Sequence, residues 1–436
     1  MDAMDLRRFA ALACALAAWA VHAEAIAWRD GLWFDGDRFV PGVRYTVDGT
    51  FVAERPRHLD RYVHLGGKYV VPAYGDAHHH GIDSDEALDD KITVFLEAGI
   101  FYVKNPNDIA ERITPAVRAR LGRPDSIDMV FSHGGLTGPG GHPAPLHQYM
   151  ASVGVFKGLG PEAMEGRAYF TVADEAELAA KWPRILAGRP DFIKVFLLFS
   201  ESYEGREPLR RESDGLPNVG LDPRLLPSIV ARAHAAGLRV SCHIDTVRDF
   251  RHAVDAGVDE INHLPQPDPR FSPDLADYVI SPELARRTAA GHITVVTTAS
   301  TTERLSPHLP QAWRPAMHDN QRANLRTLLD AGVHVALGSD GIPGERRFVT
   351  ARDEARFIAQ HRLLSNLELL RAWSVDTPKA IFPGRRLGEL APGFEANFLV
   401  LGADPLEDAE NLHRISMRVK QGVILPELPH FALVRE

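Results

Sequence analysis

The chain has 436 residues, of which 45% are apolar, 25% charged and 8% aromatic; this suits a large core and excludes disordered, collagen-like and disulfide-scaffold classes. Against 49 basic residues stand 58 acidic ones, a formal charge of −9, which argues against a nucleic-acid partner and favours a small-molecule one.

In chain order, the first feature is an export signal over residues 1–23. Arg7 and Arg8 form a positive start, Phe9 to Val21 is an apolar run too short to span a bilayer, and Val21-His22-Ala23 offers small residues for cleavage. Removal near Ala23 predicts a periplasmic or secreted protein with no stable membrane insertion; an uncleaved anchor or a buried first helix is the competing reading. Cys14 lies in this segment, and its flank Ala11-Leu12-Ala13 suits lipidation poorly. Cys242 alone remains after cleavage, so no intramolecular disulfide is expected.

Residues 25–72 alternate in period two with turns at Asp35-Gly36, Asp48-Gly49 and Gly66-Gly67, which predicts short antiparallel strands. From about residue 88, Ala-Gly pairs close helical stretches and apolar runs follow, at Ala98-Gly99, Ala187-Gly188, Ala236-Gly237, Ala256-Gly257, Ala290-Gly291 and Ala331-Gly332. Glycine tolerates the left-handed conformation that ends a helix, so each unit reads helix, cap, strand, and its repetition implies a parallel sheet. The strands are read at 69–73, 101–104, 129–132, 192–198, 239–243, 260–263, 292–298 and 333–340. Eight strands without a Gly-rich dinucleotide turn favour an α/β fold of the (β/α)8 TIM-barrel type over an open doubly wound sheet. The runs at 397–401 and 417–425 revert to strand character and are expected to rejoin the N-terminal module. The organisation is thus 24–72 and 385–436 as a composite, split β-sandwich around a barrel at 73–384.

His78 and His80 sit two apart at the end of the first barrel strand, so period two sends both imidazoles to one face, at the barrel end that holds active sites. His79 points the other way and is assigned to structure. Two neutral imidazoles suit a zinc-like ion. His243, His263 and Asp340 also end predicted strands, and Lys194 lies within one. Singly, these read as core histidines, a snorkelling lysine and a helix N-cap; together, on separate strands, they favour a site. Lys194 lies within Phe192-Ile193-Lys194-Val195-Phe196, where a buried ammonium is costly and needs a shifted pKa or covalent conversion.

With these residues in this order, the chain resembles the amidohydrolase superfamily, in its binuclear branch with a carboxylated lysine. The resemblance covers nearly the whole mature chain, with the usual Gly-Lys-x-Ala-Asp wording of the tail replaced by Gly393-Phe394-Glu395-Ala396-Asn397. It implies two divalent metal ions, zinc being expected: His78, His80 and Asp340 hold one, His243 and His263 the other, and carbon dioxide captured as a carbamate on Lys194 bridges both. It further implies a metal-bridged hydroxide that attacks a carbonyl, with Asp340 moving the proton. His142, in the Gly-rich stretch after the third strand, corresponds to a histidine with which some relatives contact the substrate carbonyl or oxyanion; the other reading is an ordinary surface loop.

Loops after barrel strands line pockets, so Lys104, Asn105 and Asn107 and the polar stretch with Tyr203, Arg206, Arg210 and Arg211 are candidates for substrate binding, against solvated charge. The expected function is hydrolysis of an amide bond, in a dipeptide, an N-acyl amino acid or a cyclic amide. Lactone or ester hydrolysis, deamination, and an inactive periplasmic binding barrel are the alternatives; a homo-oligomer is compatible with each.

Overall fold

A computed structural model describes residues 24–200, 203, 219–268, 272, 274–305, 310–342 and 347–428. The export segment at 1–23, with Arg7 and Arg8, and the candidates Arg206, Arg210 and Arg211 lie outside the described residues. Among the described residues no helix is long and apolar enough to cross a membrane.

The fold is α/β, with parallel sheets. Strands Tyr74–Asp76, Ile100–Asn105 and Asp128–Phe131 form a three-stranded parallel sheet. A seven-stranded sheet runs, in spatial order, through Tyr169–Thr171, Gly135–Thr137, Ile193–Phe196, Val240–His243, Glu260–Asn262, Thr294–Val296 and Val335–Ala336, all parallel. Backbone bonds from Ala77 N to Leu337 O (2.9 Å) and from Asp340 N to His78 O (2.7 Å) join the first strand of the small sheet to the last of the large one. A bond from Asp191 N to Phe131 O (2.8 Å) joins them on the other side. One continuous apolar core fills these strands and their helices, including Phe101, Val103, Val195, Val240, Ile261 and Val335, each at most 1% exposed.

Four of the six Ala-Gly pairs end their helices as expected, with φ between 72° and 82° at Gly99, Gly237, Gly257 and Gly332. At the other two, Gly188 (φ −65°) and Gly291 (φ −80°) continue the helical turn, and Arg189 (φ 54°) and His292 (φ 51°) take the left-handed position one residue later.

The terminal segments do meet. Ala25–Phe34, Phe39–Val47, Thr50–Val52, Arg61–His64 and Tyr69–Pro72 join Phe398–Leu401, Ile415–Lys420 and Val423–Ile424 in one eight-stranded sheet. Its outer cluster is aromatic: Trp28 and Trp33 pack edge-on against Phe398 at 4.9 and 5.7 Å. Two details differ from the sequence reading. Arg61–His64 and Tyr69–Pro72 both run parallel to Ala25–Phe34, so Gly66-Gly67 turns between consecutive stretches along one neighbour and makes no antiparallel hairpin. The run 69–73 is also not a barrel strand: Tyr69–Pro72 pairs with Phe398–Leu401, and the parallel sheet begins at Tyr74. Gly135–Thr137 and Tyr169–Thr171 are strands the sequence reading lacked; the first is hidden in a Gly-rich stretch that reads as loop.

Candidate functional site

Strand Tyr74–Asp76 delivers His78 and His80 to the carboxyl end of the sheet, with their Nε2 atoms 3.2 Å apart. Each Nε2 lies 3.3 Å from Asp340 Oδ1. Asp76 fixes this meeting: its carboxylate accepts from Ser339 N (2.9 Å), Ser339 Oγ (2.7 Å) and Ala351 N (2.9 Å), tying the His78 strand to the turn that carries Asp340. Gly338 permits the approach, since a Cβ there would lie 2.7 Å from that of His78. Asp340 (φ 49°) and His263 (φ 77°) are held in the left-handed region, a strained backbone that clusters at functional sites. His79 faces away as parity predicts, held by Val349 O (2.9 Å) and Gly81 N (2.8 Å) between Phe95 and Phe348.

His243 and His263 face this trio. Their ring centroids are 4.5 Å apart, and that of His263 is 4.8 Å from His78. His243 Nε2 is 3.1 Å from Asp245 Oδ2, and His263 Nδ1 is 2.6 Å from Thr298 Oγ1. With protons on those nitrogens, Nδ1 of His243 and Nε2 of His263 are lone-pair donors. His142 stacks on His243 at 5.1 Å and packs against Phe196 at 5.5 Å.

Burial disfavours the charged form of His78, His142, His243 and His263. Burial, followed by the nearby charge of Lys194, pushes His78 and His243 down to about 3. Burial and adjacent imidazoles hold His142 and His263 well below the ordinary value. Asp340 is subject to an upward push from burial, which hydrogen bonds from His78 and His80 outweigh; it stays well below the usual carboxylate range. Imidazoles converging on one carboxylate, with His78 Nδ1 buried and unpaired, are a donor set that fits a divalent ion.

Lys194 lies beneath. It is 1% exposed, its Nζ donates to Asn262 Oδ1, and burial lowers it to about 7. Asn262 Nδ2 donates to Glu260 Oε1 (2.8 Å), and Ser241 Oγ sits 2.9 Å from Glu260 Oε1 and 2.7 Å from Asn262 Oδ1. Lys104, expected at the substrate, belongs to this buried network: its Nζ donates to Glu260 Oε1 (2.8 Å) and lies 4.0 Å over the Phe192 ring. Its strand is buried along its whole length, so Lys104 ends inside the sheet and not in a loop. Tyr203 sits beside Gly138 and does not line the cavity below.

The histidines and Asp340 line a cavity of about 220 Å³. Asn107, Asp108, Asp245 and Gln266 add polar groups, while Ile109, Leu146, Met150, Phe156, Phe196 and Ile342 form an apolar wall. Helix Ala144–Ser152 supplies Leu146 and Met150, and its satellite core with Phe156, Met164 and Tyr169 steadies that wall. The sequence reading missed this wall, although Leu146 and Met150 stand four apart, a helical repeat. Asp245 was also legible, two residues past His243.

Residues 167–426 match the profile of a family described as the amidohydrolase family. An ochratoxinase of Aspergillus niger is 26% identical over 199 residues, 45% of this chain, and the match spans only 39% of that protein. An imidazolonepropionase of Chloroflexus aggregans is 34% identical over 82 residues, 19% of each chain. Among solved structures, that of A. niger ochratoxinase superposes with a TM-score of 0.70 at 18% identity, covering 92% of this chain and 96% of the other. A prolidase complexed with N-methylphosphonate-L-proline gives 0.68 at 22%, covering 92% and 99%. At these identities the structural likeness is one of fold.

Proposed function

The chain belongs to the amidohydrolase family, and on that premise we propose that it is a metal-dependent hydrolase that cleaves a carbon–nitrogen amide bond in a small substrate carrying an apolar group. The observation that carries this reading is the convergence of His78 Nε2, His80 Nε2 and Asp340 Oδ1 opposite His243 and His263 in one cavity. The sheets joined through Ala77 and Asp191 are read as a closed barrel from 73 to 384, with the composite β module of 24–72 and 385–436 attached.

His78, His80 and Asp340 would hold one divalent ion and His243 and His263 a second, with Lys194 as its carbamate between them. Zinc suits nitrogen and carboxylate donors; such a pair, when bound, activates water and polarises a carbonyl. The chain's own groups do the rest. With its ammonium pushed to about 7, Lys194 offers a neutral amine near physiological pH, the form that takes up carbon dioxide. Asp340, ionised, accepts the proton of the attacking water and returns it to the departing nitrogen. His142, a neutral donor on the cavity wall, hydrogen-bonds the carbonyl oxygen as negative charge develops. The apolar wall receives the substrate's side chain and keeps bulk water away from the bond. Residues 1–23 are read as the signal that sends the enzyme to the periplasm or outside the cell.

A screen of dipeptides, N-acyl amino acids, cyclic amides and lactones on zinc-loaded protein in bicarbonate tests this. Turnover of an amide with an apolar side chain, lost in Asp340→Asn, is the expected result. Activity on lactones alone, or none with two equivalents of zinc bound, overturns it.

A further inference from the structure

A second group of metal-ligating side chains lies outside the cavity, and it is assembled from three separate helices. Glu303 comes from helix Thr301–Leu305, His318 from the second turn of helix Arg314–Asp330, and His361 from the residue that caps helix Ala351–Gln360. One donor atom from each lies within 4.8 Å of the other two. The His318 and His361 rings are 3.9 Å apart at a tilt of 41°, with Phe357 4.5 Å from His361 on the apolar side.

Two features distinguish this cluster from an ordinary ion pair. His318 Nε2 is buried and stands 2.9 Å from Glu303 Oε1, yet it makes no hydrogen bond, so the short contact is not a made donor–acceptor pair. Arg314 Nη1 holds the other oxygen, Oε2, at 3.2 Å, which orients the carboxylate and leaves Oε1 turned to the imidazoles. The His361 end is fixed as well, because Arg322 Nη2 donates to its carbonyl at 2.7 Å. Nitrogen, nitrogen and carboxylate oxygen are the donors borderline divalent ions select.

We propose that Glu303, His318 and His361 form a peripheral binding site for a divalent ion of the zinc type, separate from the catalytic pair. An ion there ties helix Thr301–Leu305 to two neighbouring helices. That short helix also carries Thr301, which lines the cavity, and Arg304, whose Nη2 donates to Ser339 O (2.7 Å) and Asp340 O (3.1 Å). The site therefore acts as a clasp on the segment that supports Asp340 from behind.

The test counts metal. Zinc is titrated calorimetrically, with elemental analysis, into the purified enzyme already loaded with its catalytic metal, for wild type and for His318→Ala, His361→Gln and Glu303→Gln. Expected is one further equivalent per chain in wild type, lost in His318→Ala and His361→Gln, with a rise in Tm at saturating zinc in wild type only. Turnover at catalytic zinc alone stays unchanged in these variants, which separates this result from failure of the hydrolase reading. No further equivalent in wild type, or its retention in both histidine variants, overturns the proposal. Using two histidine variants and the milder Glu303→Gln guards against a single substitution that misfolds.

Discussion

Two clusters of titratable side chains lie at opposite ends of the parallel strands, and they are built in opposite ways. At the amino end of strand Asp128–Phe131, Lys420 Nζ donates to Asp128 Oδ1 (2.6 Å) and Arg123 O (2.7 Å), and Arg385 Nη1 to Asp128 Oδ2 (2.7 Å). Arg385 also grips Glu395 through both oxygens, at 2.9 and 2.6 Å. Two cations meet two anions, and each has its partner. At the carboxyl end, the imidazoles of His78 and His80 crowd around the Asp340 carboxylate, nitrogen against nitrogen at 3.2 Å. The first cluster is complete as it stands and holds the C-terminal sheet to the parallel one. The second sets imidazoles against one another on a cavity wall beside a carboxylate, a donor set that fits a divalent ion.

Substitutions on either side sharpen this contrast. The largest effect is expected at the carboxyl end: Asp340→Asn lowers kcat by about 10³-fold, within the range of a lost general acid–base, while two metals stay bound by elemental analysis. Metal lost in step with turnover would assign Asp340 to binding alone. At the complete end, Asp128→Ala strands the buried ammonium of Lys420, while Arg385 keeps Glu395, and is expected to cost about 3–5 kcal/mol in urea unfolding, with kcat of the folded protein unchanged; a loss of turnover at constant stability would break the division between the clusters.

A third prediction concerns the apolar wall. Leu146→Ala or Met150→Ala raises KM roughly tenfold for a substrate with an apolar side chain, from a transfer term of about 1.5–3 kcal/mol, and leaves kcat alone. A fourth prediction concerns pH dependence, in metal-free protein. Burial lowers His79 to about 3 and His147 to about 4, from 6.5. A depressed imidazole means that the unfolded chain binds more protons between those values, so this stability is full above 6.5 and is lost as the pH falls toward 4. The unfolding free energy from urea titrations should therefore drop between pH 7 and 5, by about 2 kcal/mol per group. A flat profile refutes it.

Much of the layout was legible because it rests on local rules. Helix, glycine cap and buried apolar run repeat often enough to announce parallel strands, and strand parity told His78 and His80 from His79. What escaped depended on distant partners. Tyr69–Ala73 reads as a barrel strand until Phe398–Leu401 takes its Tyr69–Pro72 portion. Gly135–Thr137 carries no apolar alternation, and its pairing with Ile193–Phe196 is tight enough that a Cβ on Gly135 would lie 2.5 Å from Phe196. Lys104 looked like a pocket cation because nothing nearby in sequence discloses Glu260, which neutralises it from another strand. The two departures from the family's tail wording, Phe394 and Asn397, likewise found their sense in space: Arg386 lies 4.6 Å over the Phe394 ring, and Asn397 Oδ1 accepts from Gln421 N across the sheet.

The eight-stranded sheet has a consequence for biosynthesis. Tyr69–Pro72 is made early, yet its neighbour Phe398–Leu401 leaves the ribosome only when most of the chain has already emerged. Until then one rim of that sheet stays open, with Val70 and Val71 uncovered on a strand ready to accept a foreign partner. Truncation before Phe398 therefore produces a sticky nascent product, and the last strands serve as the latch that makes the newly made enzyme safe to release.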